Sequence, residues 1–365
     1  MAEAKKLQLL VYRTNPDGWR IPETPMALQV DAETLQRNSP RWYTTIYYGP
    51  PLTGTKPLAD GEGFEVEVEN PEAYFNVMAM SHARWDLVRI MISLQDLLDI
   101  TIMAEKQSLW NAIKPHAHLW LEGCVFGGFS ANTNTKSVFL KDPLKWLVIS
   151  WLWGLRSIFD FVLVPAIETA DFSTFNWVPQ DHLDSSAGDS VFLASNEISR
   201  LHALSEYIKD RRHRRLVRYF DLVSDFGRHL MSPDEPCEGK RYVEDHDQKK
   251  CKKMLLRSLQ STCTALESIH VHGENAANRC VMSLKEMLDE LEVVANGLEY
   301  FDDISEKFCN QLKKRVAHEV WGRHYFLQPN AEMRRMLTVS PALVRFDPAT
   351  WIWIENRARQ MIEED

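Results

Sequence analysis

The chain has 365 residues, of which 45% are hydrophobic and 25% charged, and its formal net charge is −9. This composition is typical of a globular protein with two or three domains, and the acidic excess disfavours nucleic acid as a partner. The opening residues, MAEAKKLQLLVYR, are too charged for a signal peptide, so the six cysteines are expected to be reduced thiols in the cytoplasm or nucleus.

Residues 5–125 have the order strand, strand–helix, strand and then a helical block, which predicts a small α+β domain. LQLLVYR (Leu7–Arg13) is a strand candidate, and MALQVDAETLQRNSPRW begins as a strand and continues as a helix. In FEVEVEN, the residues Phe64, Val66 and Val68 alternate with glutamates, as in a half-buried strand. The large side chains predicted to form the core are Leu35, Trp42, Phe64, Val66, Phe75 and Leu98.

Apolar residues at helical spacing follow from Pro71 onward. The first predicted stripe consists of Tyr74, Phe75, Met78 and Ala79. The second consists of Leu87, Ile90, Met91, Leu94, Leu97 and Leu98. Because one apolar stripe of a helix faces the core of a globular domain, we expect these side chains to be covered.

A tryptophan-rich run, DPLKWLVISWLWGLRSIF, occupies Asp142–Phe159. Its uncharged part ends at Arg156 and is shorter than the roughly 20 apolar residues that a membrane-spanning helix needs. We therefore predict a buried helix over residues 143–165, inside a connecting segment at 126–190, and no membrane as a partner. The side chains expected to be covered are Trp146 and Trp153.

Residues 191–365 are predicted to form an all-helical domain. The helical patterns lie near residues 190–231, 246–270, 276–299 and 302–326. The first contains an arginine cluster made of Arg211, Arg212, Arg214 and Arg215. An import signal or nucleic-acid patch is one interpretation of this cluster and of KKCKK (Lys249–Lys253). The solvated face of a helix is favoured instead, because an apolar stripe accompanies the cluster: Leu204, Ile208, Leu216 and Phe220.

The order of these elements resembles the BTB/POZ domain, in the form common in proteins of filamentous fungi. MALQVDAETLQRNSPRWYTTIYYG resembles the entry of that domain, and FEVEVENPEAYFNVMAMSHAR resembles its next strand and helix. VRIMISLQDLLDITIMAEKQSLWNAIKPHAHLWL resembles the closing helices, and the tryptophan-rich run also has a counterpart, so the resemblance covers about residues 5–165. The partner-binding residues that it implies are Val30, Asp31, Leu35, Trp42 and Tyr43.

The resemblance implies a non-catalytic adaptor that binds proteins, such as a regulatory or transcription-associated scaffold. After Trp42 the chain reads YYGPPLTG and lacks the hydrophobic-x-Glu triplet associated with cullin binding, so cullin is not the expected partner. Dimers of the family form through the first strand and helix. Here Asp31 places a carboxylate near that surface, and a buried unpaired carboxylate is costly, so we expect weak or absent self-association.

A metal-dependent helical enzyme resembling terpene cyclases is the alternative. EYFDDISEK places Asp302, Asp303 and Glu306 on one helix face, where carboxylates hold Mg²⁺ in such enzymes, but no second metal motif follows. Acidic residues at a helix start also have a purely structural explanation. The candidates for a zinc site are Cys237, His246, Cys251, His270 and His272. None of them forms the close Cys or His pairs of zinc sites, so no catalytic residue, metal or cofactor is predicted.

Overall fold

The computed structural model describes residues 5–15, 19–48, 54–114, 117–126, 135–170, 195–231, 286 and 348–363. The chain divides into two compact units. The first is built from residues 1–163, 176–204 and 329–365, and the second from residues 164–175 and 205–328.

A mixed four-stranded sheet lies in the first unit. Its strands are β1 (Lys6–Arg13), β2 (Met26–Asp31), β3 (Thr55–Pro57) and β4 (Gly63–Val68). The order in the sheet is β2-β1-β4-β3, with β1 antiparallel to β2 and parallel to β4, and β3 antiparallel to β4. Parallel neighbours need a crossover, and helices between β2 and β4 provide it.

Helices make up most of the other described residues. They are α1 (Ala32–Asn38), α2 (Pro40–Tyr48), α3 (Pro71–Ser81), α4 (Leu94–Gln107), α5 (Trp110–Ile113), α6 (Ala117–Phe126), α7 (Thr135–Lys141), α8 (Pro143–Trp153), α9 (Arg156–Thr169), α10 (Ser195–Met231) and α11 (Pro348–Glu363). The predicted α+β class is confirmed.

The core of the first unit contains half of the side chains predicted for it. Leu35, Trp42 and Val66 are fully buried, as expected. Three others are only half-buried: Phe64, Phe75 and Leu98. The helix phase explains the last two, because α3 and α4 turn the preceding residues, Tyr74 and Leu97, into the core. Phe64 lies at the edge of the core, with its ring 5.5 Å from that of Trp42.

The end of α4 is tied to the short helices α1 and α2. Ser39 Oγ donates to the carbonyl of Gln107, and Trp42 Nε1 donates to Gln107 Oε1 at 3.2 Å. Arg41 donates to the carbonyl of Lys106. Ser39 and Arg41 thus satisfy backbone carbonyls that α4 leaves open in its last turn, and a cation is favourable there.

The tryptophan-rich run forms two helices, α8 and α9, and not the single helix predicted over 143–165. Gly154 ends α8 with a positive φ of 71°, a conformation that favours glycine. Trp146 and Trp153 are fully buried, as predicted. Trp153 Nε1 donates to Thr101 Oγ1 of α4 at 2.9 Å, so α8 packs against the helices that follow the sheet. Across the described ranges, no helix is long and apolar enough to cross a membrane.

The second unit is described at residues 164–170 and in α10 from residue 205 onward. The apolar stripe predicted for α10 is confirmed, because Leu204, Ile208, Leu216 and Phe220 are all buried. The helices predicted near 246–270, 276–299 and 302–326 lie outside the described residues, apart from Glu286, which is helical. The helix α11 lies within residues 191–365, predicted to be all-helical, but it is not one of the four helical patterns predicted there.

Candidate protein-binding surface

The five residues predicted to bind a partner do not form one surface. Val30, Leu35 and Trp42 are buried, with 4%, 0% and 0% of their area exposed, so these three cannot contact a partner in this conformation. They lie on the core side of β2, α1 and α2. Asp31 is partly exposed and Tyr43 is 44% exposed. Of the five predicted residues, only Asp31 and Tyr43 are therefore accessible to a partner in this conformation.

Asp31 has a local structural role as the N-cap of α1. Its Oδ1 accepts a hydrogen bond from the Thr34 backbone amide at 2.7 Å, and this bond is the main reason that the pKa of Asp31 is lowered. The Asp31 backbone amide donates to His82 Nε2 at 2.9 Å. The carboxylate therefore has a partner, and the desolvation argument that linked it to weak self-association does not apply.

Replacement of Asp31 by alanine is expected to lower the free energy of unfolding by about 1 kcal/mol or less at neutral pH, because a partly exposed cap is lost. Folding lowers the pKa of Asp31, so its contribution is present above pH ~4, the unfolded value, and is lost as pH falls through the lower folded value. Urea unfolding of both proteins from pH 7 to 2.5 should show the difference closing at acidic pH. A constant difference would contradict this role.

A tyrosine cluster (Tyr43, Tyr47 and Tyr48) covers the exposed side of α2. The three side chains are 44%, 61% and 71% exposed. The ring centroid of Tyr43 lies 4.8 Å from that of Tyr47 and 6.2 Å from that of Tyr48. A hydrogen bond with Tyr48 raises the pKa of Tyr43. The ring of Tyr43 thus contacts the other two, and the three form an aromatic patch with hydroxyl groups at the surface. Such amphipathic aromatic side chains are common in protein interfaces.

A second exposed surface is the segment between α3 and α4, which we call the apolar loop (Trp85–Met91). Four large apolar side chains within its seven residues are exposed: Trp85 by 45%, Leu87 by 40%, Ile90 by 58% and Met91 by 73%. The sequence predicted Leu87, Ile90 and Met91 to lie on a buried helical stripe. They are instead outside any α-helix, with only a short 3-10 turn at Trp85–Leu87.

Buried side chains hold the backbone of the apolar loop. The Arg89 amide donates to Oδ1 of Asn76, and Trp120 Nε1 donates to the Arg89 carbonyl at 2.8 Å. Asn76 and Trp120 are both buried, and so is Val88 at the centre of the loop. The thiol of Cys124 contacts the Ile92 carbonyl at 3.6 Å. The loop therefore presents exposed apolar groups on a backbone that is already ordered.

Ion pairs border the apolar loop. Arg84 Nη2 lies 3.0 Å from Asp86 Oδ2, and Arg89 Nη1 lies 2.6 Å from Glu72 Oε2. Hydrogen bonding to Arg84 holds the pKa of Asp86 below its usual range. An apolar centre with a polar, charged edge is the usual anatomy of a protein-binding patch.

A capping box marks the start of α4, which the helical spacing of apolar residues did not indicate. Ser93 accepts a hydrogen bond from the Asp96 amide, and Asp96 accepts one from the Ser93 amide, so α4 begins at Leu94. Partial burial opposes ionisation of Asp96, but hydrogen bonds from Ser93 and Asn70 lower its pKa overall. The sequence SLQD carries this signal, because a serine followed by an acid three residues later is typical of a helix start.

The arginine cluster on α10 is not a solvated basic face. Arg212 and Arg215 are buried. Arg212 Nε donates to the Ala170 carbonyl at 3.1 Å, and Arg215 lies 3.9 Å from Glu168, while burial lowers the pKa of Arg215 to about 10. Cations at the carboxyl end of α9 are stabilising, so these two arginines have a structural role.

The two arginines of the cluster that are not buried, Arg211 and Arg214, also have partners. Arg214 Nε donates to Asp210 Oδ1 at 2.9 Å, and Arg211 lies over the ring of Tyr207, 5.1 Å from its centroid. An aspartate in the same turn offsets the exposed positive charge. A nucleic-acid surface gains no support from this arrangement.

The residues proposed for metal chemistry lie outside the described part of the chain. This holds for Asp302, Asp303 and Glu306, and also for the Cys237–His272 candidates. Within the described residues, no group of three or more histidine, cysteine, aspartate or glutamate side chains is placed to hold a metal ion.

Comparison of the chain with protein-family models gave no match. Comparison with curated proteins and with solved structures also gave no match. The functional conclusion therefore depends on the surfaces described above and on the order of sequence motifs.

Proposed function

We propose that the chain is a non-catalytic protein-interaction adaptor, built on a BTB/POZ-like domain, whose apolar loop binds a protein partner. The motif order in the sequence supports the domain assignment, and a small mixed sheet followed by helices is compatible with it. The observation that carries the binding role is the exposure of four large apolar side chains on an ordered loop.

The energetics favour the apolar loop over a scattered set of exposed residues. Tryptophan, methionine and arginine are enriched in binding patches, and the loop contains all three. Its backbone is fixed by Asn76 and Trp120, so binding costs little additional conformational entropy. Isolated apolar residues on a surface are ordinary, whereas a cluster on an ordered backbone indicates an interaction site.

Weak self-association belongs to the same proposal, on the ground that the net charge of −9 disfavours bringing two copies of the chain together. The apolar loop would then serve a different protein and not a second copy of this chain. The loop's neighbouring ion pairs have both signs of charge, so a partner is expected to bring an apolar centre and not a highly charged surface.

Replacement of both Trp85 and Met91 by serine is expected to abolish recovery of a stoichiometric partner. Hot-spot side chains contribute about 2 kcal/mol or more, so the combined change should weaken binding by at least roughly 30-fold. The measurement is affinity purification of the tagged full-length chain from its host, followed by mass spectrometry and titration of the recovered partner. Both side chains are exposed, so the melting temperature should change little.

Two further variants distinguish binding through the apolar loop from binding through other exposed aromatic side chains. Trp19 lies outside the apolar loop and is 75% exposed. The Trp19→Ser variant should still bind the partner. Tyr47→Ser with Tyr48→Ser tests the tyrosine cluster. Loss of the partner with the tyrosine variant alone, or equal recovery with the loop variant and the wild type, would contradict the proposal.

A further inference from the structure

The helix α9 begins without a cap of its own. Leu155 occupies its N-cap position, the first helical residue is Arg156, and no acid is present in the first turn. The first amides of a helix have no partner within the helix, and the positive end of the dipole disfavours an arginine. The local sequence therefore leaves the Ser157 amide to be satisfied from elsewhere.

The missing acceptor comes from α11, 198 residues further along the chain. Glu355 Oε2 accepts a hydrogen bond from the Ser157 amide at 3.2 Å, the second amide of α9, which an N-cap side chain usually satisfies. Glu355 is only 5% exposed, and both residues belong to the first unit. The buried carboxylate of Glu355 thus takes the place of an N-cap side chain for α9.

The other buried side chains described in α11 form one narrow apolar stripe. Ile354 and Ala358, one turn apart, are buried, and α11 contacts α7. Ile352 and Trp353 stay about half exposed, at 51% and 45%. Among residues 352–360, 362 and 363, whose burial the structure describes, only Ile354, Glu355 and Ala358 are buried. With so few buried side chains there, α11 should open at a lower free energy than the core around it.

We propose that α7 and the N-terminal end of α9 form a docking site for an acid-bearing helix, and that α11 occupies this site as a reversible latch. This site is separate from the apolar loop and does not depend on the proposed adaptor function. Opening of the latch would expose Ile354 together with Trp353 and leave the Ser157 amide available. A competing helix would need an apolar residue next to an acid, as in Ile354–Glu355.

Hydrogen exchange of the full-length chain, followed by mass spectrometry, tests the latch. In Glu355→Ala, exchange around Ser157 and in α11 should accelerate by roughly 2- to 30-fold, the equivalent of the 0.5–2 kcal/mol contributed by an N-cap. Glu355→Gln keeps an acceptor oxygen and should show a smaller change. Glu363→Ala removes an exposed carboxylate from the same helix and should match the wild type.

The amides of β1 and α4 distinguish a latch from a permanent part of the core. They should exchange at the wild-type rate in every variant. If they accelerate together with α11 in Glu355→Ala, α11 does not open by itself and the proposal is wrong. Equal exchange in Glu355→Ala and Glu363→Ala would also overturn it, because Glu355 would then not hold α11.

A labelled peptide of residues 348–363 tests the docking site directly. Added to the full-length chain, it should bind Glu355→Ala more tightly than the wild type, whose own α11 competes more strongly for the site. The same peptide with Glu355→Gln should bind less tightly. Absence of peptide binding to the Glu355→Ala chain would refute the docking site.

Discussion

Alanine in place of Gly63 is expected to prevent the first unit from reaching its native fold. A Cβ atom at this position would lie 1.9 Å from the carbonyl oxygen of Gln8 and 2.7 Å from its carbonyl carbon. These are backbone atoms of β1, so relief requires β1 to move away from β4. We expect a cost above about 4 kcal/mol, which is comparable to the whole stability of many domains.

Circular dichroism and urea unfolding of Gly63→Ala and of Gly123→Ala give a matched comparison. A Cβ at Gly123 in α6 meets nothing within 4 Å, and alanine is the better helix former by about 1 kcal/mol. Gly123→Ala should therefore be as stable as the wild type or slightly more stable. A cooperative melt of Gly63→Ala near the wild-type temperature would show that β1 and β4 are not paired as described.

Truncation of Trp153 to alanine should lower the free energy of unfolding of the first unit by about 3–5 kcal/mol. The side chain is fully buried, and its ring lies 6.3 Å from that of Trp110 in an edge-to-face arrangement. It also donates a hydrogen bond to Thr101. The loss combines a cavity with one missing hydrogen bond, since the Thr101 hydroxyl loses the donor from Trp153 but still donates to the Leu97 carbonyl. Urea unfolding of the full-length chain measures this loss.

Two smaller changes separate the cavity from the hydrogen bond. Trp153→Phe keeps much of the ring but removes the donor, and Thr101→Val removes the acceptor with little change in volume. Each should cost about 0.5–3 kcal/mol, and the double variant should cost less than the sum of the two, because they share one bond. Strict additivity would mean that the bond between α8 and α4 contributes no stability.

Local sequence signals account for β4 and for the start of the first helix, whereas β3 was not predicted. The alternation in FEVEVEN identifies β4, and Val66 is buried as that alternation requires. Asp31 followed by Thr34 identifies the start of α1, because an aspartate accepts from the amide three residues later. Such signals are readable since each depends on residues only a few positions apart.

Burial within a helix depends on the phase with which the helix meets its neighbours. Phe75 and Leu98 are as apolar as Tyr74 and Leu97, yet the latter two are the fully buried residues. The rotation of α3 and α4 is set by contacts with other helices, which a linear pattern does not contain. Leu87, Ile90 and Met91 are exposed for a different reason: their helical spacing is present without an α-helix, because the capping box at Ser93 begins α4 only at Leu94.

Partners far apart in sequence are the second source of error. Arg212 and Arg215 form part of a basic run in the sequence, but the structure uses them at the end of α9. Glu355 is one of many glutamates, and only its position beside Ser157 distinguishes it. In both cases the role of a charged side chain is set by a helix terminus that lies far from it in the sequence.

The long separation between Ser157 and Glu355 also governs the order of events during synthesis. The strands and the helices up to α9 emerge from the ribosome first and can associate as soon as they are free. The cap of α9 must wait until residue 355 has been made, 198 residues later. Until residue 355 has been made, every nascent chain therefore carries an α9 whose Ser157 amide lacks this acceptor.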